Sequence, residues 1–374
     1  MFVILYTLLF MQNIKNYSYT ADAIRILAII LVVVIHIAGG IVDNPSFFQL
    51  PAWYFANFID SASRIAVPIF ILLSGALLLH PIKHQENLKS YAIKRLKRVG
   101  IPLIVWSGIY LLWNYFFWGH SYSLYQVVSD LLAPNIYYHL YFLYIILGLY
   151  LCVPFFRIFL MHVTGKFLKV TLIILFMFTL CIYGVNALFP SIKTTFNGLT
   201  LFLPYIPYFL AGPLLWNVYL SKRTFFILSG FYVLLTLFTS VANYVYMMHV
   251  GWSTHASSLV YDRYFYDHFS PNVMLMSLFG FILLRNLPLI FTKVKQVWFG
   301  SAVMYISPSV FGIYLIHPMI RDVLNVWYPE AQQINFSSIE VAGILVVKIV
   351  LVLIISYALV FAGRLFKPLR ILFG

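Results

Sequence analysis

Asp22-Ala-Ile-Arg25-Ile-Leu-Ala-Ile-Ile-Leu-Val-Val-Val-Ile-His36 is too apolar for a helix in water, yet it carries an arginine near one end and a histidine at the other. Eleven residues separate the two, close to three helical turns, so both lie on one stripe about 16 Å apart along the axis. A helix needs roughly 20 apolar residues to cross a bilayer. Runs of that kind recur at 21–40, 54–79, 100–118, 138–160, 170–188, 203–220, 225–248, 271–290, 303–325 and 340–362. They are continuous, whereas the strands of a membrane β-barrel are short and alternate in polarity. The expected fold is therefore all-α, a polytopic membrane bundle of about ten helices.

Composition agrees. Of 374 residues, 63% are hydrophobic and 9% charged, and the mean hydropathy is +0.93. About a quarter of an ordinary soluble domain is charged, so this chain could not coat a water-soluble core, and it is too apolar to be disordered. The 24 Lys and Arg outnumber 10 Asp and Glu, a formal +14. In a soluble protein that balance points to nucleic acid; in a membrane protein it reports topology. With the N-terminus inside, 18 basic residues fall on the cytoplasmic side, among them Lys94, Arg95, Lys97, Arg98, Lys222, Arg223 and Arg364. Only Lys193, Arg263 and Arg321 fall outside, and Arg25, Arg64 and Lys348 lie in or at the edges of spans. The asymmetry places both termini in the cytoplasm.

Residues 1–17 read as a short leader without a signal-peptide pattern, with Met11 an alternative start. The remainder reads as one transmembrane domain within 1–374, with no fused soluble domain and no internal repeat. Cys152 and Cys181 fall inside spans, so no disulfide framework or thiolate metal site is indicated.

Ionisable side chains inside a membrane are costly and mark function by default. Arg25 either pairs with Asp22 or faces a ligand; His36 either bonds a neighbouring helix or does chemistry. Arg64 is four residues from Asp60, as an ion pair requires, and is also deep enough to stabilise a developing oxyanion. The Lys94-Arg95-Leu-Lys97-Arg98 cluster is either a topology signal or a phosphate site, since guanidinium forks grip phosphate at two points. His139 and His317 share the outer half with His36. They come from different spans without accompanying carboxylates, so no metal site is read there. Ser74-Gly75 reads as a close helix-packing point, and Lys348 as pointing into the bundle or snorkelling to its edge. Trp252 to His268 is aromatic with Asp and His, suited either to a sugar or to an interfacial belt.

Taken together these features resemble the membrane acyltransferase-3 family. The Arg25/His36 pair resembles its first-span signature, and Arg95-Leu-Lys-Arg98 its cytoplasmic Arg-x-x-Arg. Ser61-Ala-Ser-Arg64 through Ser74-Gly75, Tyr138-His139-Leu-Tyr-Phe-Leu-Tyr and Phe311-Gly-Ile-Tyr314-Leu-Ile-His317-Pro318 are similar to its second, fourth and ninth spans. The likeness runs from about residue 18 to 365, and two of the stretches look closest to the branch that O-acetylates enterobacterial common antigen. The resemblance implies an enzyme of the bacterial cytoplasmic membrane that moves acetyl from cytoplasmic acetyl-CoA to a hydroxyl of a cell-envelope glycan or lipid-linked sugar. It needs no bound cofactor, metal or nucleic acid. His36, Arg25 and Arg64 are then the catalytic set, with His36 a general base or a covalent carrier. Arg25, Arg95 and Arg98 bind the acyl-CoA, and His139, His317 and Tyr314 the acceptor. The rival reading is a transporter or flippase of a lipid-linked sugar or small acid, whose path intramembrane Arg and His can also line.

Overall fold

A computed structural model describes residues 2–79, 87–189, 196–250, 264–290, 303–329 and 337–373. Among these residues there are helices and no strands. The chain begins in one long helix, α1 (Phe2–Val42), so the leader expected at 1–17 continues into the first span without a break. There follow α2 (Pro51–Ser63), α3 (Ala66–Leu78), α4 (Leu88–Arg95), α5 (Ile101–Trp118), α6 (Leu124–Leu132), α7 (Tyr141–His162) and α8 (Gly165–Leu188). The second half holds α9 (Ile206–Trp216), α10 (Lys222–Val250), α11 (Pro271–Asn286), α12 (Val310–Trp327), α13 (Ser338–Leu365) and the short α14 (Arg370–Phe373).

Nine segments among the described residues are long and apolar enough to cross a membrane. Each coincides with one of the expected spans. The exception is the run at 203–220: a single 3₁₀ turn, Leu203–Tyr205, leads into α9, and the helix ends at Trp216. Pro204 and Pro207 open this segment and Pro213 interrupts it, which keeps it short. What it lacks in length it makes up in closeness to α3. A Cβ on Gly75 would run into the Phe209 carbonyl, and one on Gly212 into the Leu72 carbonyl. The two glycines thus let the helices approach to backbone contact, the small-residue packing that holds membrane helices together. Ser74-Gly75 is that packing point.

Burial orders the bundle. The segment Pro51–Leu78 is 72% buried, while Gly165–Asn186 and Lys222–His249 are 11% and 17% buried and turn most of their surface outward. The α2–α3 pair is the central post, and α8 and α10 lie at the rim.

Two breaks shape the interior. The α2–α3 segment turns at Arg64 and Ile65, where Pro68 cannot donate to the Arg64 carbonyl four residues back. Between α4 and α5, residues Leu96–Gly100 form a π-turn in which the Ile101 amide reaches back five residues to the Leu96 carbonyl. Pro102 explains it: with no N–H, its ring would press on the Arg98 carbonyl in a regular helix.

Candidate active site

Five ring-bearing side chains converge inside the bundle. From α1, His36 stacks on His317 of α12, with centroids 5.3 Å apart and planes at 24°. Its other flank meets Tyr138 at 4.7 Å. His139 packs edge-on against His317 at 5.6 Å, and the Tyr314 hydroxyl donates to the His139 carbonyl. The three histidines expected at similar depth therefore meet in one cluster. Among the described residues no group of three His, Cys, Asp or Glu has an arrangement that could hold a metal ion.

The His-Pro dipeptide of α12 fixes one ring. Pro318 leaves the Tyr314 carbonyl without its usual helical donor, and His317 Nδ1 fills the vacancy at 2.7 Å, with the Ile313 carbonyl at 3.2 Å. Carbonyls only accept, so Nδ1 carries the hydrogen and, in the neutral ring, Nε2 is the lone-pair nitrogen. That nitrogen is buried and has no hydrogen-bond partner among the described residues.

A cavity of about 620 Å³ opens between α1, α3, α4, the Leu96–Gly100 π-turn, α7, α12 and α13. Its mouth carries Arg25, Arg95, Arg98 and Arg364 against one carboxylate, Asp22. Its inner walls are apolar, with Phe70, Leu73, Leu143 and Ile146, and its far end reaches Tyr314. Tyr314 in turn lies 5.3 Å from His139 and 6.0 Å from His317, ring to ring. His36 is not among the lining residues; Tyr314 stands between the cavity and the histidine cluster.

The arginines at the mouth differ in how they are held. Arg25 pairs with Asp22, three residues back. Arg95 lies over the rings of Tyr91 and Tyr150, at 4.9 and 5.5 Å, and its Nε has no hydrogen-bond partner. Arg98, one turn along, is exposed. The π-turn that starts after Arg95 keeps both on the cavity side.

Arg64 sits at the α2–α3 turn, bonded to the fully buried Asp60 and laid over the Tyr266 ring at 3.9 Å. Its Nε is buried without a hydrogen-bond partner among the described residues. The ion pair is formed.

A family model described as an acyltransferase domain matches residues 18–361, nearly the whole chain. The protein belongs to the membrane acyltransferase-3 family. No curated protein and no solved structure matches it.

The acyltransferase is thus a multi-pass membrane enzyme, and its structure brings together most of the side chains that sequence singled out. Arg25, Arg95 and Arg98 share the cavity mouth, Tyr314 closes its inner end, and His36, His139 and His317 gather beyond it. Arg64 stands apart from the cavity. Lys348 points inward to Asn325 Oδ1 at 3.2 Å and the Tyr328 carbonyl at 2.7 Å, tying α13 to the end of α12. Of the aromatic loop, Trp252 to Arg263 lies outside the described residues. Tyr266 is buried with its hydroxyl on Asn57, and His268 Nδ1 bonds the Tyr205 hydroxyl at 3.0 Å.

Sequence reasoning passed over two groups of the acyltransferase. Arg321 reads only as an outer-loop cation, and Tyr138 only as part of the stretch similar to the fourth span, with no role of its own. In the structure Arg321 lies over the Tyr138 ring at 5.7 Å, and Tyr138 flanks His36. Beside them Asp322 accepts from Tyr137 and from Trp113 Nε1. The signal was spacing: Arg321 follows His317 by four residues, one turn along the same face. Arg364, counted with the topology charges, lines the cavity.

Proposed function

We propose that the acyltransferase takes an acetyl group from cytoplasmic acetyl-CoA and transfers it to a hydroxyl of a cell-envelope glycan or lipid-linked sugar, in a bacterial cytoplasmic membrane with both termini inside. The observation that supports this most is the cavity: one end lined with four arginines, an apolar bore, and an inner end on Tyr314 beside three histidines. The polyanionic end of a coenzyme A thioester suits the basic mouth, and its uncharged arm suits the bore.

His36 takes the proton of the acceptor hydroxyl as the oxygen attacks the thioester carbonyl carbon. The tetrahedral oxyanion is stabilised by positive charge, for which Arg64 of the α2–α3 turn is one candidate and Arg321, over the Tyr138 ring that flanks His36, another. Collapse breaks the C–S bond, the acetyl ester is left on the sugar, and the thiolate of coenzyme A takes up the proton from His36. His317 Nε2, a buried acceptor without a donor, suits a second hydroxyl of the acceptor, and His139 and Tyr314 shape the same wall. In the alternative course His36 itself attacks the thioester and carries the acetyl group before passing it on.

Sidedness tests the proposal. Inside-out membrane vesicles supplied externally with acetyl-labelled acetyl-CoA should label envelope glycan, whereas right-side-out vesicles given the same donor should not. Equal labelling in both, or none in either, would count against it.

A further inference from the structure

The cavity mouth holds one arginine that neither the first-span signature nor the Arg95-Leu-Lys-Arg98 motif contains. Arg364 ends α13, at the opposite end of the sequence from Arg25, and lines the same opening. Two ion pairs have both partners among the described residues, Arg25–Asp22 and Arg64–Asp60. Arg95, Arg98 and Arg364 therefore face the mouth without a carboxylate among the described residues. Three unmatched guanidinium groups around one opening repel one another unless an anion joins them.

Arg364 is held by a hook. After α13 the chain turns at Phe366, passes through the 3₁₀ turn Lys367–Leu369 and ends in α14 (Arg370–Phe373). Arg370 Nε donates to the Arg364 carbonyl at 2.7 Å, and Trp106 Nε1 of α5 donates to the Leu372 carbonyl at 3.0 Å. The Phe373 ring meets Trp106 edge-on at 5.8 Å, lies where a Cβ on Gly363 would be, and comes within 3.2 Å of the place a Cβ on Gly312 would take. The hook thus fastens the last turn of α13 to α12, another wall of the cavity, and to α5, the helix that continues from the Leu96–Gly100 turn.

We propose that Arg364 is a further phosphate ligand of the acyl donor, held at the cavity mouth by this C-terminal hook. The inference rests on the reading that the cavity receives acetyl-CoA. The hook holds the Arg364 backbone at the mouth, and its partly buried guanidinium can grip phosphate at two points there.

The test is equilibrium binding of radiolabelled coenzyme A to the purified full-length protein in detergent. Arg364→Ala and Arg364→Gln should each weaken binding about tenfold or more. Lys367→Ala, which removes an exposed charge three residues away, should leave it within about twofold. The glutamine variant keeps the side chain's bulk, and its thermal unfolding profile reports whether the fold is intact. Wild-type affinity in both Arg364 variants, alongside weakened binding by Arg95→Ala/Arg98→Ala, would overturn the assignment and leave the donor site standing. So would an equal loss in Lys367→Ala, since the effect would then be general surface charge. Wild-type affinity in Arg95→Ala/Arg98→Ala as well would remove the donor reading, and the role of Arg364 with it.

Discussion

Arg95 and Arg98 belong to one motif but should not matter equally. Arg95 is half-buried between the rings of Tyr91 and Tyr150, whereas Arg98 is exposed. A hydrogen bond to a charged group in a protected place contributes about 1.5–3 kcal/mol, and an exposed ion contact about 0–1 kcal/mol. At about 1.4 kcal/mol per tenfold, Arg95→Ala should raise KM for acetyl-CoA by roughly 10- to 100-fold, and Arg98→Ala by about fivefold at most. Arg95→Lys should recover only part of the loss, because an ammonium has neither the planar face that stacks on tyrosine nor the two-point fork. Since these contacts lie far from the reacting carbonyl, they hold substrate and transition state alike, so kcat should change little. The assay is the initial rate of labelled acetyl transfer in membrane vesicles as acetyl-CoA is varied. A larger effect at Arg98 than at Arg95, or a fall in kcat at constant KM, would refute the reasoning.

Other outcomes follow from the same packing. Arg64→Ala leaves the buried Asp60 carboxylate unpaired and should cost about 3–5 kcal/mol of stability, read as a lower thermal midpoint; adding Asp60→Asn should return part of it. Gly212→Val would drive a side chain into the Leu72 carbonyl and should abolish recovery of folded protein from the membrane, measured by size-exclusion chromatography in detergent. Pro318→Ala restores an amide donor to the Tyr314 carbonyl in competition with His317 Nδ1. It should raise the thermal midpoint, because a mid-helix proline costs about 3 kcal/mol. Acetyl transfer should fall severalfold while coenzyme A binding is unchanged.

The spans were legible because hydrophobic runs of membrane length have few other uses, and nine of them return as long helices. The run at 203–220 returns as the short α9, because prolines limit a helix in a way that hydropathy does not register. Arg25 and His36 were legible as a pair because helical spacing alone aligns them. Their neighbours were not. The meeting of His36 with Tyr138, His139 and His317 depends on how α1, α12 and the residues before α7 pack, and no local spacing encodes that. Arg364 was hidden for a different reason: a basic residue at the end of a span is what a topology signal alone would supply, so its charge carries no further signal until the cavity is seen. Pro68 and Pro102 do announce the breaks at Arg64 and at Leu96–Gly100. The direction in which each break turns its arginine is a tertiary fact.

The central claim is that His36 performs the transfer at the inner end of the arginine-lined cavity. The most direct measurement is transfer of labelled acetyl from acetyl-CoA to envelope glycan by His36→Ala, with coenzyme A binding measured on the same preparation. The account predicts donor binding close to wild type and transfer reduced by at least about 100-fold, the usual worth of a positioned acid–base group. Wild-type transfer by a folded His36→Ala protein would contradict it.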